Sequence, residues 1–333
     1  MSVFASQAAR RRARAALAAA AMLLAGACSS PVASTAAHGT AAASTSASAL
    51  PAASTSASTL PAVGPSATTL PDLPYAALDP IEQLDLFLPA AGAHPAPLLI
   101  WIHGGGWRVG DKSQITDFHG PSVKAPPPGP CRDIVEVQVP DLAELLAKGY
   151  AVAAVNYRLT RDPIAAAQDA KAAVRFLRAN AQHFRLDPDR FAAWGDSAGG
   201  YSAIILAVTA GRHTIFDDPR LGNAGVSAAV QAVVDDFGAS KLTDVPGPYV
   251  AGEDPFPYIA SAKPGSIPPF RIAHGDADCV VPVQDSRDLL AALTKAGAAA
   301  TLTVLPGATH EDPAFMRTQW EPTLAFLDRV FHM

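Results

Sequence analysis

The sequence predicts an α/β fold with a buried parallel sheet, and three observations carry this prediction. Short apolar runs end directly at glycine-rich turns, as residues 97–102 and 191–194 do, which is typical of buried parallel strands. Residues 201–208 follow the second turn and are apolar on nearly every side, as a buried helix is. The chain has 333 residues, of which 49% are hydrophobic and 17% are charged. This length suffices for a single domain with a large core.

The first 27 residues have the pattern of an export signal. Several arginines precede an apolar stretch at 15–25, which is too short to span a bilayer as a mature helix. Residues 23–28 resemble a bacterial lipobox, with Ala25 where leucine is commonest. We therefore expect removal of residues 1–27, acylation of Cys28 and a lipid anchor in the bacterial cell envelope. The alternative is plain secretion of a soluble protein after cleavage near the same point.

Residues 28–71 are expected to form a disordered tether. They are rich in Ala, Ser, Thr and Pro, and the segment 42–51 is nearly repeated at 52–61. Such a composition cannot bury enough apolar surface to offset the entropy that ordering costs. The folded domain is therefore expected at 72–333. Its first element is an early, partly exposed strand at 82–88.

A glycine-rich turn follows the apolar run 97–102. It reads His-Gly-Gly-Gly-Trp and occupies positions 103–107. Without side chains, the backbone N–H groups of Gly104 and Gly105 can approach a substrate oxygen and stabilise negative charge that develops on it. Trp107 is expected either to form a wall of the substrate pocket or to be buried in the core.

The second turn, Gly-Asp-Ser-Ala-Gly-Gly at 195–200, has the pattern of a nucleophile elbow. Such an elbow is a sharp strand-to-helix turn that exposes Ser197, and crowded backbone requires small residues such as Gly195 and Gly199 beside it. The amide of Ala198 adds a third candidate donor to the oxyanion hole. A Gly-x-Ser-x-Gly pattern alone is weakly specific, but the two turns in this order are strongly specific.

These motifs together resemble a known family. The two glycine turns, Gly-Asp-Lys at 110–112, Asn-Tyr-Arg-Leu at 156–159 and the segment 168–177 are similar to those of α/β-hydrolase esterases. The similarity is to the branch with a small or absent lid, as in hormone-sensitive-lipase-type and feruloyl-esterase or deacylase-like hydrolases. It extends from about residue 84 to the C-terminus. The resemblance implies a mostly parallel central sheet flanked by helices, a Ser-Asp-His triad in that chain order, and hydrolysis of carboxylic esters.

The resemblance also indicates the acid of the triad. In similar hydrolases this aspartate lies four residues after the histidine of a His-Gly turn, which here follows a strand at 269–274 and makes Asp278 the candidate. Asp276 is the nearest alternative, although its side chain would also serve to cap the turn. Asp235 and Asp236 end another apolar run and are the remaining alternatives.

The base is expected to be His310. It lies in a loop directly after the predicted last strand, 300–305, and follows Asp278 in the chain. His103 and His274 are expected to orient their turns rather than transfer protons. Arg158 and Asp169 are expected to pair beneath the site in a structural role.

Composition and cysteine spacing bear on cofactors and partners. The net charge is −5 and no Lys/Arg cluster occurs after the leader, so we expect no nucleic-acid partner. Besides Cys28, the chain has Cys131 and Cys279, which either form a disulfide or remain free thiols. Neither has zinc spacing with histidines. We therefore expect no metal and no cofactor.

Three functions are compatible with these residues. The first is a serine carboxylic ester hydrolase that acts through an acyl-enzyme on small or medium acyl esters. The second is a peptidase or amidase of the same fold, similar to prolyl peptidases. The third is a catalytically inactive surface-binding module, which is disfavoured because the serine, the acid and the base are all present.

Overall fold

Eight strands form one sheet in the computed structural model, which describes residues 60–61, 63–116, 139–244 and 249–333. The strands are β1 (Thr68–Pro74), β2 (Gln83–Leu88), β3 (Ala96–Ile102), β4 (Ala151–Val155), β5 (Leu186–Asp196), β6 (Ala232–Asp236), β7 (Phe270–Gly275) and β8 (Ala300–Leu305). Their order across the sheet is β1-β2-β4-β3-β5-β6-β7-β8. Strands β3 to β8 are parallel, whereas β1 and β2 are antiparallel to their neighbours. The expected mostly parallel sheet is confirmed.

Helices cover both faces of this sheet. In the described residues they are α1 (Leu142–Ala147), α2 (Pro163–Ala179), α3 (Ala181–Phe184), α4 (Ala198–Val208), α5 (Phe256–Ala260), α6 (Val283–Lys295) and α7 (Ala314–Phe331). Short 3₁₀ turns occupy Lys112–Thr116, Pro219–Leu221 and Leu242–Asp244. None of the helices in this part of the chain has the length and apolar character needed to cross a membrane.

The apolar run of β3 shows why both faces of the sheet are covered. Successive side chains of a strand point to opposite faces. Leu98 and Ile100 accordingly pack in the core layer formed with α2, α4 and α6, while Leu99 and Trp101 pack in the layer formed with α1 and α7. Every residue of α4 is buried, as its nearly continuous apolar sequence predicts. These two layers hold β5 and α4, and thus the turn between them, in a fixed position.

Strand β5 begins earlier than the apolar run at 191–194 indicates. Its pairing with β3 begins at Ala96 and Leu186, and the register shifts before Leu98 pairs with Phe191. Residues 187–190 include two aspartates, a proline and an arginine, and they are exposed or half-buried. The apolar pattern therefore marks only the buried end of the strand.

The prediction of a partly exposed strand at 82–88 is wrong. All residues of β2 except Gln83 are buried, because β1 covers the edge that β2 would otherwise leave open. Asp85, a charged residue of this strand, forms an ion pair with Lys112, at 2.7 Å. The partner lies in another segment of the chain, so the local pattern could not reveal it.

The predicted start of the folded domain at residue 72 is also too late. Strand β1 begins at Thr68, which pairs with Leu88, and Leu70 is buried. Farther upstream, the carbonyl of Pro61 contacts Nε2 of His183 at 2.9 Å. These residues resemble the preceding repeats in their polar composition, so the sequence pattern did not reveal the strand. The leader, Cys28 and residues 28–59 of the expected tether lie outside the described residues.

The chain enters the sheet at its amino edge. Thr68 pairs with Leu88, the last residue of β2. Because β2 runs antiparallel to β4, both residues lie at the edge of the sheet where the parallel strands begin. The amide of Ala91 donates a hydrogen bond of 2.8 Å to the carbonyl of Pro65 at this same edge. The turns that carry the candidate site residues lie at the opposite, carboxyl edge.

Candidate active site

Ser197 lies in the sharp turn between β5 and α4. Its φ of 50° and ψ of −114° are strained for a residue with a side chain. A Cβ on Gly195 would collide with the carbonyl group of Gly199, and a Cβ on Gly199 would collide with the carbonyl oxygen of Ile102. The crowding that the motif implies is therefore present. The contact between Gly199 and Ile102 also places the elbow beside the end of β3, where the first glycine turn begins.

The structure brings Ser197, His310 and Asp278 together. Nε2 of His310 lies 3.0 Å from Oγ of Ser197, and Nδ1 lies 2.6 Å from Oδ2 of Asp278. The three residues follow the carboxyl ends of β5, β8 and β7, which are close together in a parallel sheet. Both distances are within hydrogen-bond reach, as proton transfer requires.

Asp278 is held as an anion by several donors. Its Oδ1 accepts the amides of Val280 and Val281, at 2.8 and 2.9 Å. Burial favours protonation, but hydrogen bonds from His274 and His310 outweigh it and hold the pKa of Asp278 well below its ordinary value. Because Asp278 contacts Nδ1 of His310, the proton of a neutral imidazole belongs on Nδ1. Nε2 is then available to accept the proton of Ser197.

The alternative acids make other contacts. Oδ1 of Asp276 accepts the amide of Gly307 at 2.6 Å and thereby fastens the loop that leads to His310. Oδ1 of Asp235 accepts the amide of Gly238 at 2.9 Å, and Oδ2 of Asp236 accepts Nε1–H of Trp194 at 2.7 Å. Burial raises the pKa of Asp235 to about 7 and that of Asp236 to about 6.

The glycine turn after β3 is shaped by Gly105. Its φ is 102°, and a Cβ would collide with the carbonyl oxygen of Val109. The amides of Arg108 and Val109 both donate to the carbonyl of Gly105, at 3.2 and 3.3 Å. Among the described residues, the backbone N–H groups of Gly104, Gly105 and Ala198 donate no hydrogen bond to a backbone carbonyl in a turn, loop or helix cap.

The side chains of His103 and Tyr157 both contact the backbone of this turn. Their rings stack at 4.3 Å, and the hydroxyl of Tyr157 is 2.9 Å from the carbonyl oxygens of both His103 and Gly104. Nδ1 of His103 lies 2.8 Å from the carbonyl of Gly104, and burial lowers the pKa of His103 to about 4. His103 is therefore neutral at physiological pH and orients the turn, as expected. Tyr157 belongs to a motif that carried the resemblance, but its role was not apparent from sequence.

His274 also serves to orient a loop. Its Nδ1 lies 2.7 Å from Oγ of Ser286, and its Nε2 lies 2.9 Å from the carbonyl of Val281 and 3.3 Å from Oδ2 of Asp278. Phe237 supports the other histidine, since its ring meets that of His310 edge to face at 4.7 Å. Phe237 directly follows the two aspartates at the end of β6, and no sequence motif indicated it.

The structure also bears on Trp107, on the Arg158–Asp169 pair, on the cysteines and on metal binding. Trp107 is only 5% exposed and meets Tyr201 edge to face at 5.7 Å, which favours the core alternative over a pocket wall. Arg158 and Asp169 form the expected ion pair at 2.8 Å. Cys279 is disulfide-bonded; Cys131 lies outside the described residues, so pairing with Cys131 remains a prediction. In the part of the chain that the structure describes, no group of three or more His, Cys, Asp or Glu could hold a metal ion.

Comparisons with known proteins bear on the fold of this chain. The sequence model of a family described as BD-FAE matches residues 84–125 and 134–255. The chain has the α/β-hydrolase fold. Among solved structures, it is similar to a truncated carbohydrate esterase from gut microbiota, with a TM-score of 0.63 and 24% identity over 82% of this chain and 99% of the other. Esterase 2 of Thermogutta terrifontis, phosphorylated by paraoxon, gives a TM-score of 0.60 and 22% identity over 80% and 93%. At these identities the structures establish the fold.

Curated relatives of this α/β hydrolase include esterases. Esterase LipQ of Mycobacterium tuberculosis is 27% identical over 271 residues, which are 72% of this chain and 56% of LipQ. Isoprenylcysteine alpha-carbonyl methylesterase ICME of Arabidopsis thaliana is 26% identical over 260 residues, which are 70% and 54% of the two chains. The chain thus spans a little over half the length of these relatives.

Proposed function

We propose that this α/β hydrolase is a serine carboxylic ester hydrolase that acts through an acyl-enzyme. The continuous contact from Ser197 through His310 to Asp278, at 3.0 and 2.6 Å, carries the proposal. The names of the relatives support it, because LipQ and ICME are both esterases. The neighbour phosphorylated by paraoxon supports a nucleophile that organophosphates modify.

The first half-reaction forms the acyl-enzyme. Nε2 of His310 takes the hydroxyl proton of Ser197 while Oγ attacks the ester carbonyl carbon. The amides of Gly104, Gly105 and Ala198 would hold the resulting oxyanion, and one such donor typically lowers the barrier by about 3 kcal/mol. The positive end of the α4 dipole adds to this stabilisation. The alcohol then leaves with the proton that His310 carries.

The second half-reaction restores the enzyme. His310 takes a proton from water, whose oxygen attacks the acyl carbon, and returns the proton to Oγ as the acid leaves. Asp278 stays ionised in both halves and stabilises the imidazolium of His310 by its charge and hydrogen bond. Its depressed pKa suits this role, because the carboxylate must not take the proton itself.

We propose small or medium acyl esters as substrates. Val109 and Val280 are 62% and 56% exposed, and they lie on the loops that carry the oxyanion turn and Asp278. We infer that their side chains offer apolar surface near the site for an acyl or alcohol group. We also propose export and anchoring through an acylated Cys28, which the sequence pattern of the leader supports.

Activity across p-nitrophenyl esters of increasing acyl length tests the function, with an aminoacyl anilide as the amide control. Ester hydrolysis that Ser197→Ala abolishes, together with fluorophosphonate labelling of Ser197, is the expected result. Faster cleavage of the anilide would favour a peptidase or amidase. Absence of both activities and of labelling would favour a binding module.

A further inference from the structure

Asp196, the residue before the candidate nucleophile, has an unusual environment. It is the last residue of β5 and only 1% exposed. Neither of its carboxyl oxygens meets an N–H or O–H donor in the described part of the chain. A buried carboxylate without donors is costly, so this group requires another explanation.

Two neighbours of Asp196 belong to the other parts of the active site. A Cβ on Gly104, in the oxyanion turn, would lie 3.1 Å from Cγ of Asp196 and even closer to Oδ2. The carboxyl of Asp196 therefore rests directly on the backbone of that turn. The carboxyl of Glu311, the residue after the candidate base, lies within hydrogen-bond reach of the Asp196 carboxyl. Glu311 is 5% exposed and has a φ of 57°, a left-handed conformation that is uncommon for a residue with a side chain.

Two carboxylates cannot hydrogen-bond to each other, but a carboxylic acid can donate to a carboxylate. We propose that Asp196 carries a proton that it donates to Glu311, and that this pair positions the elbow, the oxyanion turn and the histidine loop relative to one another. Asp196 and Glu311 are positioning residues, since Ser197 and His310 perform the chemistry. The inference deepens the proposed ester hydrolysis and rests on it.

The electrostatic surroundings support a neutral Asp196. Burial, followed by the charge and hydrogen bond of Glu311 and the charge of Asp236, raises the pKa of Asp196 well above its ordinary value. Among the described residues, the titratable groups that face Asp196 are Glu311 after β8, Asp236 at the end of β6 and Tyr157 after β4. None of these groups is a cation that would favour the carboxylate.

A neutral Asp196 also matters for the reaction. An ionised carboxylate against Gly104 would place negative charge beside the position where the oxyanion forms. Like charges repel strongly where water is excluded, so ionisation would raise the barrier without weakening binding of a neutral ester. We therefore expect kcat to fall at alkaline pH as Asp196 loses its proton, while KM changes little.

Two isosteric variants distinguish this role from simple packing. In Asp196→Asn, the amide donates to Glu311 without needing a proton, so the loss of kcat at alkaline pH should disappear. In Glu311→Gln, the amide donates to Asp196 and stabilises its carboxylate, so kcat should fall about tenfold at neutral pH with KM little changed. Asp187→Asn, at the other end of β5, is the matched control and should behave as wild type.

Infrared spectroscopy without substrate gives a second readout. The difference spectrum between wild type and Asp196→Asn should contain the carbonyl band of a protonated carboxylic acid, and the Asp187→Asn difference should not. This measurement decides the matter even if Glu311→Gln does not fold or if the ester-hydrolase proposal fails. Equal loss of kcat in both variants at all pH values, or absence of the band, would overturn the inference.

Discussion

Nε2 of His274 lies 3.3 Å from Oδ2 of Asp278, the same oxygen that contacts Nδ1 of His310 at 2.6 Å. The candidate acid is thus placed between two histidines, one in β7 and one in the loop after β8. Together with the amides of Val280 and Val281, they fix both the charge and the direction of the carboxylate. Asp276 has a different task, because it holds the amide of Gly307.

This arrangement predicts unequal effects of two similar substitutions. Asp278→Asn should lower kcat by roughly 10⁴-fold, since the amide would leave His310 in the wrong tautomer. Asp276→Asn keeps an oxygen acceptor for Gly307 and should cost far less. Steady-state kinetics on one p-nitrophenyl ester measure both. Reversed effects would show that the acid was assigned to the wrong aspartate.

The contact between Gly199 and Ile102 predicts a local packing defect. Gly199→Ala would push a methyl group into the carbonyl oxygen of Ile102, where backbone must move. We expect a loss of about 1–3 kcal/mol or more in the free energy of unfolding, together with reduced kcat. Gly225→Ala is the control, because nothing lies within 4 Å of its added Cβ. Thermal melts of the two variants should differ clearly, and equal melting temperatures would contradict the crowded elbow.

Buried aspartates predict how stability depends on pH. The pKa values of Asp235 and Asp236 are raised to about 7 and about 6, so the folded protein holds protons that the unfolded chain releases above about pH 4. Their contribution is complete below about pH 4 and is lost as pH rises through about 6 and 7. For Asp235 the loss is on the order of 4 kcal/mol at most. The pKa of Asp278 is lowered, so this residue stabilises the folded protein above about pH 4 and loses that contribution as the pH falls further.

Urea denaturation across this pH range measures the effect. The midpoint should decline between about pH 4 and pH 7, and Asp235→Asn should flatten the decline because Asn keeps an oxygen for the amide of Gly238. Asp187→Asn should leave the slope as it is. A midpoint that rises steadily over the same interval would argue against raised pKa values at these two positions.

The leader predicts where the enzyme is found. Cys28→Ser should block incorporation of labelled lipid and move the mature protein from the membrane fraction to the soluble fraction. A protein that carries several acyl chains should be retained firmly, whereas a single chain binds only marginally. Catalytic constants of the released enzyme should match those of the anchored one. Wild-type protein that is soluble and unmodified near Cys28 would instead support plain secretion.

The sequence predicted the structure best where the conformation of a segment is determined by its own residues. The two glycine turns, the apolar run of β3 and the buried helix α4 follow from crowding and apolar pattern, and the structure places them as expected. Sequence was least informative where a polar residue has a distant partner. The burial of Asp85 could not be predicted, because its ion-pair partner Lys112 lies in another segment of the chain. Strand β1 was not predicted, because its composition resembles that of the repeats before it. The proposed pair of Asp196 and Glu311 joins the end of β5 to the loop after β8, so no local pattern could have indicated it.

The first described residues meet the sheet at the edge opposite the reactive serine, since Thr68 pairs with Leu88 while Ser197 follows the far end of β5. If the N-terminal segment tethers the protein to a membrane, the point of attachment to the domain lies on the side away from Ser197. Diffusing esters, and esters displayed on neighbouring structures, would then approach without steric hindrance from the bilayer. The N-terminal tether would then determine which substrates come within reach, and the loops around Ser197 would determine the rate of hydrolysis.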